Sequence, residues 1–282
     1  MMPLSHILTR KPPVVFDVGF MASLFGTRVC GMGLDREVKF FDEFADQADY
    51  DVLGERGYAR LLAAFKEAVQ PRDGQRCIDL GCGTGAFTRR LRVFGLDLLG
   101  IDISPRSIER ACASGDGIPY EVADITATGL AEDSFDVAAL SGVLHHITSS
   151  ADRIRAMREA RRILRPGGRL FAFDPNAHSP SMFLYRDPRS PLYSSEGKTE
   201  NEVLLKSDQL TGELRESGFA SVRVRGVSGT TFKYVKGRVA RLLLPAYAVY
   251  EELVRLSPWE GRLGTFLVST ATKPERSAPP AI

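Results

Sequence analysis

Residues 77–87 read Cys77-Ile78-Asp79-Leu80-Gly81-Cys82-Gly83-Thr84-Gly85-Ala86-Phe87, and this stretch decides the fold. Its first residues form a mostly apolar run of the kind found in a buried strand, ending at Leu80. Glycine then occupies alternate positions, Gly81, Gly83 and Gly85, and a helical pattern starts behind them. Glycine has no Cβ, so the chain can turn sharply here and lie against a ligand. The first turn of the following helix offers N–H groups with no partner inside the helix. Strand, glycine turn and helix in this order make a site for a nucleotide-like cofactor at the carboxyl end of a parallel strand.

Downstream, strand and helix alternate. The pattern predicts strands at 75–80, 96–101, 118–122, 135–141 and 168–174, with helices at 85–94, 105–114 and 151–164. Such alternation argues for an α/β fold with a doubly wound, mostly parallel sheet. Ser104-Pro105 is a helix start, with Ser as N-cap and Pro at the first helical position. Pro166-Gly167-Gly168 reads as a helix stop ahead of the fifth strand. Residues 175–200, rich in Ser, Pro, Tyr and Arg, read as a long structureless loop of the functional or mobile kind. A helix at 207–217 and strands at 221–227 and 264–272 complete the fold. Between those last strands lies an insertion, 228–262, whose stretch 237–256 is an amphipathic helix that Pro245 is expected to kink.

Upstream, helices are expected at 14–30 and 56–69, and Phe40, Phe41 and Phe44 share helical spacing suited to packing. The chain therefore divides into a helical N-terminal cap (1–70), a core (71–273) with cap insertions at 175–205 and 228–262, and a disordered tail (274–282). Residues 12–34 are apolar behind Arg10 and Lys11, but Asp17 and Arg28 interrupt them and no small-x-small cleavage site follows. They read as a packed helix, and no stretch is long and clean enough to span a bilayer.

Composition supports a sizeable core: 282 residues, 44% hydrophobic and 26% charged. A net charge of +2 gives no reason to expect nucleic acid or membrane as partner. The cysteines Cys30, Cys77, Cys82 and Cys112 form no C-x-x-C pair, and four histidines are too few to complete a zinc set with them, so no metal is expected. Reduced, buried thiols in a cytoplasmic protein are the plain reading. Of the arginines in 151–165, Arg155, Arg158, Arg162 and Arg165 fall on one helix face and read as a solvated face with Asp152 and Glu159 nearby.

The ordered set of motifs resembles the class I S-adenosylmethionine-dependent methyltransferases, most closely the small-molecule branch called type 11 or type 12. It comprises Ile78-Asp79-Leu80-Gly81-Cys82-Gly83-Thr84-Gly85, Gly100-Ile101-Asp102-Ile103-Ser104, Val122-Ala123-Asp124-Ile125 and Leu164-Arg165-Pro166-Gly167-Gly168. Phe135-Asp136-Val137 and Val143-Leu144-His145-His146-Ile147 fit between the last two. The match is strong over about 40–175 and weak over 205–272. It implies a seven-stranded Rossmann-like sheet with an antiparallel last strand, and S-adenosyl-L-methionine as cofactor, leaving S-adenosyl-L-homocysteine. An NAD site prefers G-x-G-x-x-G, whereas here Ala86 stands at the third glycine position; that spacing alone does not exclude NAD.

The resemblance assigns roles. Gly81, Cys82, Gly83 and Gly85 would pass close to the methionine and ribose portions. Asp102 would accept both ribose hydroxyls, with Ile103 beside it. Asp124 would accept from the adenine amino group while Ile125 donates its N–H and packs the ring; the competing reading is a loop Asp that turns the chain. Asp79 sits in an apolar strand end, where an unpaired carboxylate is costly, so a cationic partner is expected, by resemblance the methionine ammonium. Ser141 would lend backbone contact to the same portion.

Methyl transfer needs alignment above all, and a general base only where the acceptor must lose a proton. His145 and His146 are the candidate bases for a hydroxyl; packing is the competing reading. His178, Tyr50, Tyr185, Tyr247 and Tyr250 are candidates to line the acceptor pocket. The reaction expected is methyl transfer to a small organic acceptor, at oxygen ahead of nitrogen or carbon. The other readings are a lipid-linked acceptor with 237–256 at a membrane surface, and a cofactor-binding scaffold without turnover. Nucleic-acid methylases carry an Asn/Asp-Pro-Pro-aromatic segment or a Pro-Cys nucleophile, and neither is present at the corresponding place.

Overall fold

A computed structural model describes residues 53–186, 202–230 and 238–276, together with 38–39, 41–43, 45, 189 and 193. The predicted helix at 14–30 and Tyr50 lie outside the described residues, as does the far C-terminal tail.

Helix α1 (Glu55–Val69) leads into β1 (Arg76–Leu80), α2 (Ala86–Leu91), β2 (Asp97–Asp102), α3 (Pro105–Ala113), β3 (Tyr120–Val122) and β4 (Phe135–Ser141). Then come α4 (Ser150–Ile163), β5 (Leu164–Pro175), α5 (Pro180–Arg186), α6 (Ser207–Glu216), β6 (Ala220–Val227), α7 (Arg238–Leu256), α8 (Glu260–Leu263) and β7 (Phe266–Thr272). The strands form one seven-stranded sheet in the order β3-β2-β1-β4-β5-β7-β6. All neighbours from β3 to β5 are parallel, and β7 runs antiparallel to both β5 and β6. The strand order reverses beside β1, between β2 and β4, which places a ligand crevice at their carboxyl ends.

The sheet is covered on both faces, and the side chains divide by the two-residue period of a strand. Ile78, Leu80, Ala138, Leu140, Leu170 and Ala172 pack with Ala156, Met157, Ala160 and Ile163 of α4 and with Leu210 and Leu214 of α6. Cys77, Val137, Ala139, Phe171 and Phe173 pack on the other face with Leu61 and Phe65 of α1 and Phe87 of α2. Phe87 meets Phe173 edge to face at 5.0 Å, and Phe65 meets Phe171 at 5.1 Å. Such contacts add about 1 kcal/mol each to the area they bury.

Three expectations change. The helix stop is not Pro166-Gly167-Gly168: α4 ends at Ile163, Leu164 is already extended, and the motif bulges within the long β5. Arg165 precedes a proline and is thereby disfavoured in the helical region, while Gly167 supplies the positive φ of +74° that the bulge needs. Second, the loop after β5 contains α5. Its signal was Ser179-Pro180, the same dipeptide type that starts α3 at Ser104-Pro105. Third, Cys112 is exposed on α3 while Cys77 and Cys82 are buried. Arg155, Arg158 and Arg162 on α4, with Arg165 just beyond it, are exposed or half-exposed, whereas Arg153 lies off that face.

Arg153 is fully buried. Its Nε and Nη2 donate to Glu213 Oε2 and Oε1 of α6 at 2.9 and 2.6 Å, and Nη1 donates to the carbonyls of Ile147 and Thr148. Arg155 pairs with Asp152, Arg162 with Glu159, Arg158 with Glu216 and Arg165 with Asp136, while Arg161 donates to Gly218 O. Helix α7 runs through Pro245 to Leu256 and presents exposed Leu242, Val249, Leu253 and Leu256. No helix among the described residues is long and apolar enough to cross a membrane.

Glu213→Ala leaves the Arg153 guanidinium buried and unpaired, so it should cost about 3–5 kcal/mol in urea unfolding. Glu216→Ala, which removes an exposed pair, should change the same measurement by less than about 1 kcal/mol. Equal effects would mean the buried pair does not carry this corner.

Candidate active site

The glycine turn is fixed to its neighbours before any ligand is considered. Gly81 N and Cys82 N both donate to Ile101 O, at 2.8 and 2.9 Å. Gly81 has φ +78°, and a Cβ there would come within 2.6 Å of Val143 Cγ2. Gly85 has φ +80°, and its Cβ would meet the Tyr120 hydroxyl at 2.6 Å. At both positions glycine is required by the backbone and by the protein's own contacts. Cys82 lies buried beside Gly100, and burial pushes its thiol up, so it serves as a small apolar group here.

Asp79 is buried at the end of β1. Thr88 Oγ1 on α2 donates to its Oδ2 at 2.7 Å, and Ser141 Oγ at the end of β4 donates to its Oδ1 at 2.8 Å. Among the described residues both partners are hydroxyls, not the cation that its burial calls for. Burial raises its pKa to about 6; the two hydroxyls pull it down, and the nearby Asp102 adds to the rise. Ser141 therefore reaches this corner through its side chain, where the sequence suggested its backbone. Thr88, one turn into α2, was not anticipated; its position behind the glycine turn was the available signal.

Asp102 closes β2. Its Oδ2 accepts from Gly83 N at 2.8 Å and its Oδ1 from Ser104 N at 2.9 Å. Burial raises its pKa against these backbone donors. A carboxylate offers about four lone-pair directions, so these two bonds orient it without exhausting it. Ile103 follows half-buried. Asp124 Oδ1 accepts from Thr126 N at 2.8 Å, the chain-turning geometry weighed for it, and Ile125 next to it is buried.

Two residues from ahead of α1, Phe41 and Asp42, reach the carboxyl ends of these strands. Ser104 Oγ donates to Asp42 Oδ1 at 2.5 Å, which puts Asp42 at the head of α3. Phe41 packs edge-on against His146, with ring centroids 4.9 Å apart, beyond the end of β4.

His145 and His146 share a single helical turn, Leu144–His146, after β4. Their rings lie 4.0 Å apart. One oxygen of Asp174, at the end of β5, contacts both the backbone N and Nδ1 of His145 at 3.0 Å. Burial works against charge on either partner: it pushes Asp174 up, and together with Arg186 it holds both imidazoles well below their ordinary value. Asp174 opens an Asp174-Pro175-Asn176 stretch at the end of β5 in which nothing points to a histidine 29 residues earlier. Asn176 is structural: its Nδ2 donates to the carbonyls of Arg262 and Gly264 at 2.9 and 2.7 Å.

The pocket candidates are more scattered. His178 is exposed, and its backbone N donates to Asn176 Oδ1 at 2.9 Å. Tyr185 is on α5, but its side chain lies outside the described residues. Tyr247 is buried and Tyr250 half-buried on α7. Glu251 anchors that helix by accepting from Gly229 N at 3.0 Å. Gly229 follows β6, whose end pairs with the start of β7 opposite Pro175, so α7 is tied to the same rim as the glycine turn.

The sequence pattern of the Methyltransferase domain family matches residues 78–172, the stretch from β1 to β5. The 27-O-demethylrifamycin SV methyltransferase of Amycolatopsis mediterranei is 33% identical over 215 residues, 68% of this chain and 76% of that protein. The ubiquinone biosynthesis O-methyltransferase of Sinorhizobium fredii is 29% identical over 57% of this chain and 66% of its own length. The chain spans between 44% and 66% of the length of three such relatives, the Sinorhizobium protein included. Among solved structures, Haemonchus contortus phosphoethanolamine N-methyltransferase 2 in complex with S-adenosyl-L-methionine has the same fold. Its TM-score is 0.58 at 18% identity, over 88% of this chain and 59% of that one. With the strand order, the glycine turn and the acidic residues that end β1 and β2 described above, these likenesses show that the chain belongs to the S-adenosylmethionine-dependent methyltransferase family.

Proposed function

We propose that this chain binds S-adenosyl-L-methionine at the β1 turn and transfers its methyl group to a small organic acceptor. The observation that carries the reading is Asp79: a buried carboxylate at the switch point of the sheet, held by two hydroxyls and raised to about 6. A carboxylate in that setting is stabilised by an added cation, and the donor carries an ammonium. When bound, S-adenosyl-L-methionine supplies a methyl group on positively charged sulfur. Asp79 then fixes the amino-acid end, oriented by Thr88 and Ser141. Asp102 offers its remaining lone pairs to the ribose hydroxyls. Asp124 and Ile125 take the adenine, and the segment around Phe41 and Asp42 keeps water from the cleft.

For the acceptor atom we favour oxygen, ahead of nitrogen or carbon. The imidazoles of His145 and His146 are weak bases where they lie. A weak base assists only an acceptor that releases its proton readily, so the reading favours a phenol or another acidic hydroxyl over an alcohol. The O-methyltransferase names of the relatives agree with this, while the N-methyltransferase among the structural neighbours keeps nitrogen as the second choice. One observation supports a further variant, an acceptor presented at a lipid surface: the exposed row Leu242, Val249, Leu253 and Leu256 on α7, with Trp259 beyond it.

Calorimetry at pH 7.5 should show one S-adenosyl-L-homocysteine per chain, and Asp102→Ala should weaken it at least tenfold; absence of binding to the wild type would sink the proposal. Asp79 gives a pH signature. Its folded pKa of about 6 lies above the ordinary 3.8, so the folded state takes up a proton that the unfolded chain does not hold. Its contribution to stability is therefore largest below pH 4, declines as pH rises to about 6, and is flat above. The cost at neutral pH is on the order of 2–3 kcal/mol. Asp79→Asn should accordingly raise the melting temperature of the ligand-free protein at pH 7.5, leave it nearly unchanged at pH 4, and weaken S-adenosyl-L-methionine binding at pH 7.5. A variant that melts lower at pH 7.5 would count against this account. Sedimentation with anionic liposomes should carry the protein down if the lipid-surface variant holds, and leave it in solution if it does not.

A further inference from the structure

We propose that His145, His146 and Glu202 form a binding site for a divalent transition-metal ion of the zinc class, at the carboxyl end of β4. One ligand atom from each lies within 4.8 Å of the other two. Tetrahedral bonds of about 2.1 Å place ligand atoms about 3.4 Å apart, so closure around an ion needs shifts of about 1 Å. Two imidazoles and one carboxylate are a set suited to zinc, iron or nickel, and a poor one for magnesium or calcium, which want oxygen throughout. Three protein ligands leave at least one position open.

The surroundings hold this set in place. His145 and His146 are adjacent on one helical turn with their rings on the same side, 4.0 Å apart. Val203 N donates to His145 O at 2.9 Å, which ties the segment bearing Glu202 to that turn. Arg153 grips the next two carbonyls, Ile147 and Thr148. Behind His145 stands Asp174, in contact with Nδ1 at 3.0 Å. A carboxylate on the far nitrogen is the usual companion of a metal-bound imidazole: it fixes the ring and leaves Nε2 for the ion. Arg186 lies near both rings and opposes a bound cation, while Glu202 and Asp174 oppose that effect. The counting of cysteines and histidines in the sequence missed this set, because its third member is a glutamate more than fifty residues away in the chain.

Binding of the ion does not depend on methyl transfer. Its use does: on the reading of the site given above, the open position would take an acceptor hydroxyl and lower its pKa.

The test uses the full chain, stripped with a chelator and titrated with zinc against a chromophoric chelator, then with cobalt(II) followed by visible absorption. One equivalent of each should bind, with a cobalt band typical of a four- or five-coordinate nitrogen and oxygen site. A tenfold excess of magnesium should not displace it. Glu202→Gln should weaken zinc at least tenfold and alter the cobalt band. Asp174→Asn, which keeps all three ligands, should weaken zinc by about 10–100-fold. S-adenosyl-L-homocysteine binding by Glu202→Gln reports that this variant is folded, so lost metal affinity is not lost structure. No stoichiometric zinc in the wild type, or an unchanged affinity and cobalt spectrum in Glu202→Gln, overturns the proposal whether or not the chain methylates anything.

Discussion

A carboxylate buried where three elements meet sets the terms for this molecule. Asp79 ends β1, Thr88 reaches it from α2 and Ser141 from β4. The strand, the crossover helix behind it and the neighbouring strand are thus joined at one charged point that is expensive in the absence of a ligand. The tight glycine turn is the route by which the chain leaves that point. On the proposed reading, the same arrangement that weakens the ligand-free fold prepares a place for a cationic group. Stability and function draw on this corner in opposite directions, a trade found widely at functional sites.

The cleft has two sides of different character. On the donor side, backbone N–H groups and acidic side chains at the ends of β1 and β2 are fixed by the sheet itself. On the other side, the contacts come from connecting segments: the turn after β4, the end of β5, the stretch before α6, and α7 held through Glu251. Arg153 matters because it joins that side to the core, linking the turn after β4 to α6 by one buried guanidinium.

Much of the donor side was legible in the sequence because local rules govern it. Alternating strand and helix patterns, a Ser-Pro helix start and glycines that need positive φ are all read within a few residues. The doubly wound sheet, the turn and the location of Asp79 and Asp102 follow from them, while the antiparallel last strand came only with the family resemblance. The failures were of two kinds. Some were local signals left unused, such as Ser179-Pro180 heading α5. Others depend on partners distant in the chain: nothing near Arg153 pointed to Glu213, and Asp174 had no visible link to His145. Periodicity does not report such pairings, and the acceptor side consists mostly of them.

The contact between Gly81 and Val143 has a consequence for anyone wishing to redesign the protein. A Cβ at position 81 would press on Val143, so by the same geometry a bulkier residue at 143 presses on the turn that follows β1. Val143 stands two residues before His145. A change of volume there is transmitted mechanically to the glycine turn. On the proposed function this makes position 143 a poor place to reshape an acceptor pocket, and positions on α7 and around Glu202 better ones.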